Sequence, residues 1–140
     1  MTENNTIEIV AALIRDAAGR VLLVRKRGTT AFMQPGGKRD SGEDDITTLT
    51  REIDEELGCR LVPDSIQPLG EFDAISANEP GFRVRAALYE VEVTGEIVPR
   101  AEIEEMLWVN PVFPADITLA PLTRDHVLPL ALRKRVAGNA

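Results

Sequence analysis

Apolar positions along the chain change their period several times, and each change marks an element. Ile7 to Ile14 (IEIVAALI) is rich in β-branched and aliphatic residues and reads as a strand. Asp16-Ala-Ala-Gly19 is a turn, and Arg20 to Val24 (RVLLV) is expected to complete a hairpin. The unbroken apolar run of that second strand indicates burial on both faces. At Asp44 the period becomes helical: Ile46, Leu49, Ile53 and Leu57 fall on one stripe. Asp44 is a suitable N-cap, Asp45 adds negative charge to the first turn, and Gly58 suits a left-handed C-terminal cap. Beyond the helix, Arg60 to Val62 begins a short strand that Pro63 ends, and a second strand lies around Leu69–Ile75. After a turn at Asn78–Gly81, Phe82 to Val93 is the longest strand. Its alternation (Phe82, Val84, Ala86, Leu88) changes phase to Val91 and Val93, which points to a bulge or twist near Ala87–Tyr89. The acidic-aliphatic segment Ala101–Val109 reads as a loop or helical turn if it has no further role. Asn110 to Pro121 holds three prolines and is loop, and Leu122 to Val136 is a C-terminal helix with Pro129 in its first turn or kinking it.

Composition narrows the partners. With 140 residues the chain forms one domain, 1–140, large enough for a single core. A net charge of −7 argues against a nucleic-acid polymer as partner, although divalent cations could bridge an acidic site to a small phosphorylated molecule. The single cysteine, Cys59, excludes an intrachain disulfide framework and fits a reducing compartment. The first residues, MTENNTIEIV, lack the basic and apolar regions of a secretory signal, and no apolar run is long enough to span a membrane. A cytoplasmic protein without a membrane partner is expected.

The unusual chemistry lies in the first helix. At about 100° per residue, Glu52, Glu55 and Glu56 share roughly a 100° arc beside the apolar stripe. Each i, i+3 or i, i+4 carboxylate pair there repels by roughly 0.2–0.5 kcal/mol, so a cation or a proton-transfer role is needed to compensate. Just upstream, Pro35 fixes the chain and Gly36-Gly37 allow the bare backbone to approach a ligand.

The whole stretch Gly36–Cys59, GGKRDSGEDDITTLTREIDEELGC, resembles the Nudix box, in which a glycine, a glutamate and an R-E-U-x-E-E-x-G-U helix recur at fixed spacing (U is a bulky aliphatic). Gly37, Glu43, Arg51, Glu52, Ile53, Glu55, Glu56 and Gly58 match, and Cys59 takes the final aliphatic place. That resemblance implies an α/β fold, the α/β/α sandwich with a mixed central sheet, with the box helix on one face and the C-terminal helix on the other. It also implies hydrolysis of a nucleoside diphosphate linked to another group. Oxygen ligands without histidine or cysteine suit Mg²⁺, with Mn²⁺ as a substitute. Carried over by position, Gly36 (through its carbonyl), Glu52, Glu55 and Glu56 would hold metal. Glu102, in a segment that resembles the acidic run ending in Trp downstream of the box, would add a further ligand, with Glu105 second. Glu52 would be ligand or general base, and Arg51 would orient Glu43 or Glu52.

Phe32, Lys38, Arg83 and Arg85 are the candidates for substrate contact; solvated arginines are the plainer reading of the last two. Arg25-Lys26-Arg27 is either a solvated strand end or a phosphate contact. His126, the only histidine, reads as a partly exposed structural residue, and Arg133-Lys134-Arg135 as a solvated helix end. Downstream markers resembling those of ADP-ribose hydrolases (a proline, where Ala74-Ile75 stand) and of dinucleoside polyphosphate hydrolases (a tyrosine, where Ala77-Asn78 stand) are missing. Elimination favours a MutT-type nucleoside triphosphate pyrophosphohydrolase, monomeric or homodimeric. ADP-ribose, another nucleotide sugar or a dinucleotide is the alternative substrate, and a non-catalytic nucleotide sensor the alternative class.

Overall fold

The computed structural model describes residues 5–114 and 116–139, with side chains up to Arg133. Strand β1 (Thr6–Ile14) is the centre of the architecture. It runs parallel to β6 (Arg83–Val91), from Thr6 opposite Arg83 to Ile14 opposite Val91. Its other edge carries the two-residue strand β3 (Gly36–Gly37), antiparallel, with Val10 opposite Gly37. Strand β5 (Gln67–Ile75) closes the far side antiparallel to β6, giving the mixed order β3-β1-β6-β5. The second apolar run is β2 (Val21–Lys26), but its ladder is not the expected hairpin with β1. It pairs antiparallel with β8 (Ile103–Val109), and only an isolated bridge, Arg15 to Val21, links it back across the Asp16 turn. The short strands β4 (Arg60–Leu61) and β7 (Val93–Thr94) pair with each other.

Alternation along β1 and β2 explains the layers. Ala11 and Leu13 with Val21 and Leu23 pack against Val127, Leu128 and Ala131 of the C-terminal helical region. Val10, Ala12 and Ile14 with Leu22 and Val24 face Leu49, Ile53 and Leu57 of helix α1 (Asp45–Leu57). Strands apolar on both faces must be covered on both, and the α/β/α sandwich follows. The phase change in β6 also has its bulge, carried by the partner strand: the β5 register shifts between Pro68 and Gly70, opposite Leu88 and Tyr89.

Helix α1 has the expected ends. The Asp44 side chain accepts a hydrogen bond from Thr47 N–H at 2.8 Å, and Gly58 adopts φ 66 at the C-terminus. The last carbonyls are taken up by a returning loop, through Val98 N–H to Leu57 O and Arg100 N–H to Glu56 O, both 2.8 Å. Ile46 departs from the expected stripe. It is 37% exposed in the first turn, and the buried face consists of Thr48, Leu49, Ile53, Glu56 and Leu57. That turn is instead anchored by polar groups, since Arg39 Nε and the Tyr89 hydroxyl both donate to Asp45.

The C-terminal helix accommodates Pro129 with a π turn over Thr123–Val127 ahead of α2 (Leu128–Asn139). Leu128 N–H reaches back to Thr123 O, one residue further than in an α-helix, and the turn absorbs a proline that would break an α-helical ladder. Arg133 is exposed, while the Lys134 and Arg135 side chains lie outside the described residues. Among the described residues no helix is long and apolar enough to cross a membrane.

Candidate active site

A cavity of about 360 Å³ opens where β3, the chain just before it and the start of the C-terminal helical region meet the end of β1. Its walls are apolar at Ile7, Ile9, Val84 and Leu122, polar at Ser76 and Asn78, and Lys26, Lys38, Asp40, Glu52, Glu79 and Glu102 supply charge. The approach of β3 explains its two glycines. A Cβ at Gly36, whose φ is +147, would collide with the Val10 carbonyl, and one at Gly37 would collide with the Glu52 carboxylate. The Glu52 side chain therefore lies directly over bare backbone.

Arg51 organises the acids. Its Nε and Nη2 form a fork with Glu43 at 2.8 and 2.9 Å, Nη1 donates to Glu52 at 3.0 Å and more weakly to Glu55 at 3.3 Å, and Nη2 also reaches the Lys38 carbonyl at 3.0 Å. The expected alternatives for Arg51, Glu43 or Glu52, are thus both realised. Glu43 also accepts from Asp40 N–H and the Thr48 hydroxyl, and the Arg51 guanidinium above all holds its carboxyl down at about 2.

The three helical glutamates differ sharply in environment. Glu55 is exposed. Glu56 is only 3% exposed, receives Gly36 N–H at 3.2 Å, and touches Glu52. Burial first, and the neighbouring Glu52 charge second, push the Glu56 carboxyl up to about 8. A carboxyl pair beside a glycine backbone, Glu56 buried and Glu52 partly so, is a donor set that a hard divalent cation fits, because the cation removes the repulsion that burial intensifies. Among the described residues no three His, Cys, Asp or Glu side chains converge into a ready cage. Glu102 stands across the cavity, where its carboxylate meets Lys26 Nζ at 3.5 Å. Glu105 turns away to Arg25. Glu105 lies in strand β8, where a loop or helical turn was expected, whereas Glu102 sits in the turn just before it.

The basic run Arg25-Lys26-Arg27 is neutralised along that ladder by Glu105, Glu102 and Glu104, and of the three only Lys26 lines the cavity. Three substrate candidates lie elsewhere. Phe32 is buried in the core beneath the Arg25 guanidinium, because its backbone is pinned to Thr118 and Ala120. Arg83 and Arg85 are exposed on the face of β6 opposite Val84, the residue between them that does line the cavity, and Arg83 pairs with Asp73 at 3.4 Å. Lys38 is in the wall as expected. His126 stacks on Phe72 with ring centroids 5.3 Å apart and contacts the Asp73 carbonyl, a structural role.

Three buried polar wall residues had no functional part in the sequence reading: Gln34, Ser76 and Thr123, 6%, 8% and 0% exposed. The available signal was a glutamine placed directly before Pro35-Gly36-Gly37, where a strand entering the core calls for an apolar side chain.

Comparison with known proteins agrees with this fold. The family model described as NUDIX domain matches residues 6–127. An 8-oxo-dGTP diphosphatase of Haemophilus influenzae is 35% identical over 60 residues, 40% of this chain and 44% of that protein, so the match spans less than half of that relative's length. A crystal structure of a MutT NUDIX hydrolase from Burkholderia pseudomallei superposes with a TM-score of 0.70 at 27% identity, covering 91% of this chain and 96% of that one. The MutT protein of Methanosarcina mazei Go1 shares the fold, with a TM-score of 0.73 at 23% identity over 93% and 95% of the two chains.

Proposed function

The chain belongs to the NUDIX family, and on that ground we propose that it is a divalent-metal-dependent pyrophosphohydrolase of nucleoside triphosphates, releasing a monophosphate and pyrophosphate. The observation that carries this reading is that Glu52 belongs both to the Arg51 clamp and to the cavity wall, with buried Glu56 against it. Glu52, Glu56, the Gly36 carbonyl and Glu102 would hold Mg²⁺ or Mn²⁺. Glu55, bound to Arg51 by the longest of its hydrogen bonds, is the acid left to join from the solvent side. When bound, such a cation neutralises phosphate charge and lowers the pKa of a coordinated water.

The protein's own groups do the rest. Arg51 fixes the Glu52 carboxylate, which in this reading serves as metal ligand or accepts a proton from the attacking water. Lys38 and Lys26 in the wall offer positive charge to the phosphates. The apolar walls at Ile7, Ile9, Val84 and Leu122 suit a planar base and exclude water from it. The domain acts on small nucleotides in the cytoplasm in this reading.

Phosphate and pyrophosphate release, measured with Mg²⁺ over a panel of triphosphates, ADP-ribose and dinucleotides, tests the reaction. Turnover on triphosphates with pyrophosphate as product is expected. Glu52→Gln should lower kcat by roughly 10²–10⁴. Absence of turnover on every compound, with nucleotide binding retained, would overturn the proposal in favour of a sensor.

A further inference from the structure

One buried polar group in the cavity has no protein partner. The Gln34 amide accepts the Thr123 hydroxyl at Oε1, 2.6 Å away, and among the described residues its Nε2 has no hydrogen-bond partner. Both residues line the cavity, and both are more than nine-tenths buried. An amide N–H₂ left unpaired in such a place is strongly unfavourable, and native interiors tolerate few of them. The same wall carries the apolar side chains Ile7, Ile9, Val84 and Leu122, which suit a flat ring, together with Ser76, Asn78 and the charged groups.

We propose that Gln34 is a specificity-determining residue. Its Nε2–H donates to an acceptor on the edge of the substrate's base, and so selects bases that carry a ring carbonyl over those with an amino group at the same position. Thr123 is the positioning residue. Its hydroxyl proton engages Oε1, which leaves Nε2 as the unpaired donor end of the amide. The π turn that begins at Thr123 holds that hydroxyl at the cavity wall, 89 residues along the chain from Gln34. This inference rests on the cavity being the nucleotide site proposed above.

Two substrate pairs isolate the contact. Inosine and adenosine triphosphates differ by carbonyl against amino at one ring position, as do uridine and cytidine triphosphates. The wild-type protein should favour the carbonyl member of at least one pair in kcat/KM by about tenfold or more. Gln34→Leu should reduce kcat/KM for that member about 10–100-fold and leave the amino member within about threefold, so that the ratio collapses. Thr123→Val should lose part of the ratio and Thr123→Ser should restore it, which a merely structural hydroxyl would not do. A wild-type ratio near one, a preference for the amino member, or an equal loss on both members in Gln34→Leu would overturn the assignment. Affinities for the matching monophosphates, measured by calorimetry, need no turnover. If no triphosphate is hydrolysed the proposed reaction fails, yet the monophosphate ratio still decides on Gln34, and absence of binding to all four counts against it. Thermal melting identifies any variant that fails to fold.

Discussion

Glu56→Gln separates the stability of the helix from its function. In the metal-free protein Glu56 is buried against Glu52, and its carboxyl is raised from 4.5 to about 8. The folded state therefore binds that proton more tightly than the unfolded chain does. The associated stability is fully present below about pH 4.5 and is lost as pH rises through about 8. Moving a carboxyl over that interval corresponds to roughly 5 kcal/mol at most; relaxation and proton sharing with Glu52 reduce the expected effect to about 2–4 kcal/mol. Glutamine keeps the shape and cannot ionise. Relative to wild type, Glu56→Gln should gain about 2–4 kcal/mol between pH 5 and pH 9 in urea unfolding with chelator present. Adding Mg²⁺ at pH 8 should close most of that gap. Saturating metal stabilises a protein that binds it by about 2.7 kcal/mol at a hundredfold excess over Kd, and only wild type should gain this. Parallel pH profiles for the two proteins, or equal stabilisation of both by Mg²⁺, would refute the reasoning.

Other substitutions probe the supports of the same site. Arg51→Lys keeps the charge but loses the fork to Glu43, and kcat should fall roughly 10–100-fold. Because Glu43 is held down at about 2, the stability deficit of that variant should be present above about pH 4.5 and fade as pH falls toward 2, as followed by urea midpoints. Gly37→Ala drives a methyl group into the Glu52 carboxylate and should lower kcat by up to about 10²-fold with little change in melting temperature. Ile53→Ala, fully buried between α1 and the sheet, should cost about 2–5 kcal/mol, read as a lower urea midpoint at unchanged slope.

The limits of α1, its caps and the box spacing were legible in the sequence because they depend on neighbours three or four residues away, and helical geometry fixes those distances for any chain. Apolar runs in β1 and β2 likewise announced two covered faces, since a strand side chain can point only one way or the other. Arg51 had to lie near Glu52 and Glu55 for the same local reason. Strand partnership was not local. The chemistry of the Asp16 turn suits a hairpin, yet β2 joins β8, because its apolar faces complete both cores only beside Leu107 and Val109 on one face and Met106 and Trp108 on the other. Nor could helical angle alone show that Glu56 is buried and Glu55 solvated: they lie about 100° apart on the helix, and the placement of β3 decides which of them it covers. Phe32, Arg83 and Arg85 have the chemistry of ligand contacts, and backbone pairing turned all three away from the cavity. The sequence by itself determined the reactive helix and its charge. Only the tertiary structure decided which carboxylates meet, and only it set the Gln34 amide against Thr123, a contact made by chain closure and invisible to any local pattern.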